Sequence, residues 1–198
     1  MEGRPEHENP WTTLERRTVY ENPWIRVVED QVLNPKGGPG IYGVVQFQNR
    51  AVGVIPVDEE DHTWLVGQYR YTLNRYEWEI PEGGAPAGET LEEAARRELL
   101  EEVGLEAAHL NLLIDGIQTS NSVTNEEGYI FVATGLTVRE ADPEPTEELR
   151  VRRLPLNEAF AMVETGEIRD AISVAGLLRL KIARLEAGSG LLRSGCGS

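Results

Sequence analysis

The chain has 198 residues, enough for one domain with a buried core and room for a small N-terminal extension. Its hydrophobic content of 40% and charged content of 27% are those of an ordinary globular protein. A net charge of −15 argues against nucleic acid or anionic membrane as bulk partners, although an anionic substrate can still bind where a metal and local arginines invert the field.

The N-terminus, MEGRPEHENPW, is polar and lacks a basic segment followed by an apolar one, and no apolar run approaches the roughly 18 residues of a membrane span. The expectation is a cytoplasmic protein. A short strand is predicted at 14–20, a partly alternating strand at 24–33, a Pro/Gly turn at 34–40 and a further β-rich run at 41–48. These form an N-terminal β subdomain over residues 1–48, too small to fold alone and suited to dimerisation. A main domain follows at 49–186. Residues 51–57 and 63–71 pair around the acidic turn 58–62, and 76–80 is a short aromatic strand that Pro81-Glu82-Gly83-Gly84 stops. A helix runs over 90–103, with Thr90 or Glu89 at its cap and Gly104 as its stop. Strands at 110–118 and 129–136 flank a polar loop at 119–128. An acidic loop at 141–148, a strand at 150–154 and helices at 156–165 and 171–185 follow. Residues 187–198 read as a flexible tail. Its Cys196 is the single cysteine, which excludes a disulfide framework and a cysteine metal site. Strands with segregated helices point to an α/β (α+β) class, as an α/β/α sandwich with a mixed sheet.

The segment 83–105, GGAPAGETLEEAARRELLEEVGL, carries the chemistry. At about 100° per residue Leu91, Ala95, Glu98 and Glu102 share one side of the helix, with Ala94 and Leu99 flanking it and Glu101 at its edge. An ordinary surface helix turns Glu93, Arg96 and Arg97 outward, as this one does, but does not seat Glu98 and Glu102 beside Leu91 and Ala95. Carboxylates there are partly desolvated and crowded unless cations share their charge. A divalent metal is the simplest such cation, and phosphate its natural ligand. Gly83, Gly84 and Gly88 allow the tight curvature that frees main-chain groups for a ligand.

The nine positions Gly83, Glu89, Arg97, Glu98, Leu99, Glu101, Glu102, Gly104 and Leu105 match, in spacing and identity, the complete signature of the Nudix hydrolases, and the segment resembles that family's box. Outside the box, Gln68-Tyr69-Arg70, the run 78–83 (WEIPEG) and the run 166–174 (GEIRDAISV) resemble its ADP-ribose pyrophosphatase branch, so the likeness covers about residues 20 to 185. The resemblance implies cleavage of a nucleoside diphosphate linked to another moiety, with Mg²⁺ or Mn²⁺. It implies that Glu98 and Glu102 bind metal together with the carbonyl of Glu82. Glu101 binds metal or orients the attacking water, and Arg97 pairs with a box carboxylate such as Glu89.

Further implied site residues lie outside the box. Arg70 would touch the substrate's phosphates, the alternative being a surface arginine. Glu126 and Glu147 match loop glutamates of the branch's catalytic centre, the alternative being solvated loop carboxylates. Trp24 and Tyr42 match positions that stack on the nucleobase, often across a homodimer, the alternative being core aromatics. Two departures bear on the substrate. Ser120 stands where the branch usually has a proline, and Pro145 where a second catalytic glutamate falls two residues before Glu147. The implied reaction is hydrolysis of ADP-ribose to AMP and ribose 5-phosphate. GDP-sugars, dinucleoside polyphosphates and nucleoside triphosphates are the alternatives within the family, and a non-catalytic ligand sensor the alternative outside it. No G-x-S-x-G, P-loop, G-x-G-x-x-G or H-E-x-x-H pattern supports another chemistry, and His7, His62 and His109 are isolated.

Overall fold

The computed structural model describes residues 8–141 and 148–188. Glu147, Pro145 and the tail after residue 188 lie outside the described residues. The chain forms two compact units: residues 8–49 with Ser120–Glu126, and Arg50–Thr119 with 127–141 and 148–188.

In the first unit, β1 (Thr12–Glu21), β2 (Ile25–Leu33) and β3 (Pro39–Phe47) make an antiparallel sheet in the order β1-β2-β3. All of β1 is exposed, and the alternation expected of a half-buried strand is found in β2, which buries Val28, Asp30 and Val32. Asp30 is tolerated there because Arg16 donates to both its oxygens, at 2.7 and 2.6 Å, which holds its carboxyl below the usual range. Residues 120–126, read from sequence as part of a polar loop, are pinned to β3. Val45 N donates to Val123 O at 2.8 Å, and Phe47 N donates to Asn125 Oδ1 at 2.8 Å.

The second unit contains β4 (Arg50–Pro56), β5 (His62–Arg70), β6 (Arg75–Glu79), β7 (Glu82–Ala85), α1 (Leu91–Val103), β8 (Leu105–Gln118), β9 (Glu127–Val138), β10 (Arg150–Pro155), α2 (Leu156–Thr165) and α3 (Ala171–Gly188). One sheet has the order β7-β4-β9-β8, with β4 and β9 parallel and the other pairs antiparallel; a second, antiparallel sheet has the order β10-β5-β6. The mixed sheet is covered on both faces, so its central strands are apolar on both. Val52, Val54, Phe131 and Ala133 pack with Ala94, Ala95 and Leu99 of α1. Their neighbours Ile55 and Ile130 face the other way, onto Phe160, Ile172 and Leu177 of α2 and α3. This is the α/β/α sandwich with a mixed sheet that the sequence pattern implies.

One expectation needs correction. Pro81–Gly84 does not merely stop a strand: Glu82–Ala85 is itself β7, paired with β4 so that Gly53 faces Glu82 and Val52 faces Gly83. Proline lacks an N–H, but Pro81 enters an edge strand and its carbonyl accepts Val54 N at 2.8 Å. The glycines that read as a turn instead leave space beneath α1. That helix starts where Thr90 caps it. The Thr90 hydroxyl accepts Glu93 N at 3.2 Å, while Glu93 Oε2 accepts Thr90 N at 2.9 Å, a reciprocal box of a kind that contributes about 1 kcal/mol. It ends at Gly104, whose φ of 64° favours glycine; a Cβ there would lie 2.7 Å from the Arg139 carbonyl.

Candidate active site

Alternation along β7 separates two groups of charges. Gly83 turns its missing side chain toward α1, and a Cβ there would overlap the Glu98 carboxylate. Glu82 points the other way, on the same face as Gly53, whose added Cβ would meet Ile172 and Ile80. The backbone joins the two groups, because Glu82 N donates to Glu102 Oε2 at 2.9 Å.

On the α1 side, Glu98 and Glu102 are buried, at 9% and 3% exposure, as the helical spacing predicts. Arg97 supplies a cation there and uses all five of its N–H donors. Nε and Nη2 take the two oxygens of Glu89 at 3.0 and 2.9 Å, and Nη2 also takes Gly84 O at 2.8 Å. Nη1 takes Glu98 Oε1 at 2.6 Å and Glu101 Oε2 at 3.1 Å. The bidentate bonds from Arg97, aided by its charge, hold the Glu89 carboxyl below its ordinary value against the opposing effect of burial. Arg97 therefore ties the loop, the strand and the helix into one frame, and brings Glu89, Glu98 and Glu101 together around one guanidinium.

On the other side, Arg70 Nε donates to Glu79 Oε1 and Oε2 at 2.9 and 3.0 Å, and its Nη2 donates to Glu79 Oε2 and, at 2.9 Å, to Glu82 Oε1. Burial pushes the Glu82 carboxyl well above the usual range; the charges of Asp170, Glu79 and Glu102 add to this and Arg70 opposes it. Asp170 is fixed by accepting Ser173 N at 2.7 Å ahead of α3, and Ser173 Oγ accepts Ile80 N at 3.0 Å. Glu79 is a functional candidate that sequence reasoning passed over, since an acid in a short strand reads as surface. Its signal is period two: Glu77 and Glu79 fall on the buried positions of β6.

The donor chemistry fits a hard dication. Glu98, Glu102 and the main chain of Glu82 beside them offer only oxygens as ligands, while on the opposite face of β7 Glu82 Oε2 is buried with no hydrogen-bond partner among the described residues. A different trio, Asp58, Glu60 and His62, has its ligand atoms within 4.8 Å of one another. That group is a hairpin turn. Asp58 Oδ1 accepts Glu60 N and His62 N at 3.0 and 2.9 Å, and Arg153 pairs with Asp58 and Glu60, each at 2.5 Å. Its geometry is accounted for by the turn and its charge by Arg153.

The remaining predicted site residues belong to the first unit. Trp24 lies in the turn before β2 with 69% of its surface exposed, so it is not a core aromatic. Tyr42 packs edge-on against Trp11 with ring centroids 5.4 Å apart, and its hydroxyl donates to Ser122 O at 3.0 Å. Glu126 is half-buried in the segment pinned to β3, where its N–H donates to Thr124 Oγ1 at 3.1 Å.

A sandwich that sets buried helix carboxylates against a glycine strand and frames them with one arginine has the donor set of a site for a hard dication. Comparison with known proteins narrows the class. The NUDIX domain model matches residues 47–175, and that of the nucleoside diphosphate sugar hydrolase N-terminal domain matches residues 11–45. The chain belongs to the Nudix family. It is 35% identical over 176 residues to an ADP-ribose pyrophosphatase of Mycobacterium tuberculosis, covering 86% of this chain and 83% of that protein. An ADP-ribose pyrophosphatase of Bacillus subtilis is 30% identical over 172 residues, covering 86% and 92%. The crystal structure of an ADP compounds hydrolase superposes with a TM-score of 0.79 at 26% identity, covering 91% of this chain and 96% of that one. Among the described residues no helix is long and apolar enough to cross a membrane.

Proposed function

We propose that this Nudix hydrolase is a Mg²⁺-dependent pyrophosphohydrolase of nucleoside diphosphate sugars, with ADP-ribose as its preferred substrate and AMP and ribose 5-phosphate as products. Mn²⁺ is the expected substitute metal. The observation that carries the reading is the intact carboxylate helix, Glu98 and Glu102 buried beneath Gly83 and framed by Arg97. The two ADP-ribose pyrophosphatases at 35% and 30% identity support the choice of sugar nucleotide.

Glu98, Glu102 and the carbonyl of Glu82 hold the metal, with Glu101 as a further ligand or as the group that orients the attacking water. A bound Mg²⁺ lowers the pKa of its water and offsets charge on the phosphoryl oxygens. Arg97 keeps the helix carboxylates in register with the glycine strand. Arg70 meets the diphosphate, Glu126 and Glu147 serve catalysis from their loops, and Trp24 and Tyr42 stack on the base.

The test is hydrolysis by the purified protein, with Mg²⁺ and then Mn²⁺, of ADP-ribose against GDP-mannose, diadenosine polyphosphates and nucleoside triphosphates. ADP-ribose is expected to give the highest kcat/KM. A triphosphate turned over faster than every diphosphate sugar overturns the substrate assignment, and Ser120 and Pro145 keep that alternative specific. Binding of ADP-ribose without turnover of any member of the panel points instead to a ligand sensor.

The protein acts in the cytoplasm as a homodimer joined through its N-terminal β segment, residues 1–48 of the sequence. Leu14, Val19, Tyr20 and Ile41, each more than half exposed, lie on a three-stranded sheet too small to be stable alone and support this. Light scattering is expected to give twice the chain mass, and a monomer at assay concentration argues against it.

A further inference from the structure

We propose that Glu79 is a positioning residue, which fixes the direction of Arg70 so that Nη1 of that guanidinium is the donor offered to the diphosphate. This rests on the reading above that Arg70 meets the substrate's phosphates. The Glu79 side chain is only 4% exposed, and both its oxygens close on the Nε–Nη2 edge of Arg70. Nη2 continues to Glu82 Oε1 at 2.9 Å. That edge is therefore spent, and a planar guanidinium held along one edge has no freedom left to turn. Among the described residues Nη1 has no acceptor, while a third of the Arg70 side chain remains exposed. Glu79 and Arg70 lie on the adjacent strands β6 and β5; Arg70 pairs with Arg75 and Glu79 with Val66, so the two fall on one face of the hairpin and their long side chains meet along it in a clamp.

The clamp also answers an electrostatic difficulty. Glu79, Glu82 and Asp170 surround Arg70 with carboxyl groups, and a mobile arginine would settle among them with every donor turned inward. Bidentate capture by Glu79 satisfies the inner edge and leaves the outer nitrogen pointing elsewhere. Orientation, not charge alone, is then what Glu79 contributes to binding.

The experiment is a double-mutant cycle on KM and kcat with ADP-ribose, using Glu79→Gln, Arg70→Ala and the double variant, each checked for a cooperative thermal transition. Glu79→Gln is expected to raise KM on the order of 10-fold with kcat little changed, because the donor is misdirected but present. In the Arg70→Ala background the same change is expected to add nothing to KM. Additive effects, or a wild-type KM for Glu79→Gln, overturn the inference. If Glu79→Gln does not fold, Glu79→Asp keeps the buried charge while drawing the acceptor back by one methylene, and it must also raise KM. A wild-type KM for Arg70→Ala refutes the underlying assignment of Arg70, an outcome distinct from failure at Glu79 alone.

Discussion

With ADP-ribose and Mg²⁺, Glu102→Gln is expected to fold normally and to lose about 10³-fold in kcat. The two halves of that result have separate causes. Glu102 is 3% exposed, and Oε2 accepts Glu82 N at 2.9 Å, the bond that ties α1 to β7. A glutamine carbonyl oxygen can take the same N–H, so the link between helix and strand persists. Removing one buried negative charge also relieves repulsion on the Glu82 carboxyl, and the thermal midpoint is expected to stay the same or rise slightly. What the amide cannot do is act as an anionic ligand. The several kcal/mol that a dication supplies in stabilising phosphoryl charge would be lost with it, and each 1.36 kcal/mol is about tenfold in rate. The checks are kcat for the two proteins and a Mn²⁺ titration followed by electron paramagnetic resonance, in which the variant binds more weakly. Equal rates and equal Mn²⁺ affinity would remove Glu102 from the metal site.

The helix was legible because its signal is local. Leu91, Ala95, Glu98 and Glu102 fall on one side by periodicity alone, and Thr90 and Gly104 mark its ends by their own chemistry. The layering was legible for a related reason: strands apolar on both faces, such as 51–57, require cover on both. β7 was not. Pro81, Gly83 and Gly84 have the composition of a turn, and the segment becomes a strand only because β4, some thirty residues earlier in the chain, offers it a ladder. The segment 120–126 was missed for the same reason, since its pairing with β3 depends on Val45 and Phe47 far upstream. The Arg70–Glu79 clamp lies between these cases. Both residues stand in motifs legible in the sequence, but that they share one face, with Arg70 opposite Arg75 and Glu79 opposite Val66, is a property of the β5–β6 register.

Gly83→Ala is the sharpest structural test of the site, because the added atom is one methyl group and its obstacle is one carboxylate. A Cβ at residue 83 would overlap the carboxyl group of Glu98. Glu98 cannot simply withdraw. Its Oε1 is held by Arg97 at 2.6 Å, and Arg97 is in turn fixed to both oxygens of Glu89 and to Gly84 O. Nor can β7 move freely, since it is paired with β4 at Val52, in the core beneath α1. Either the carboxylate swings out or the strand separates, and overpacking of this kind costs about 1–3 kcal/mol. A ligand displaced by even about 1 Å costs on the order of 10²-fold in catalysis, so kcat/KM is expected to fall by at least that factor while the protein remains folded. Gly166→Ala supplies the comparison. Gly166 ends α2 with φ 73°, where alanine is strained, but an added Cβ would meet nothing nearer than Arg169 Nε at 4.0 Å. It is expected to lose about 1–2 kcal/mol of stability with kcat/KM and Mn²⁺ affinity intact. If the two alanines lower activity equally, general destabilisation accounts for both and Gly83 has no special part in the site. If only Gly83→Ala does, the space left by that missing side chain is what seats the Glu98 carboxylate.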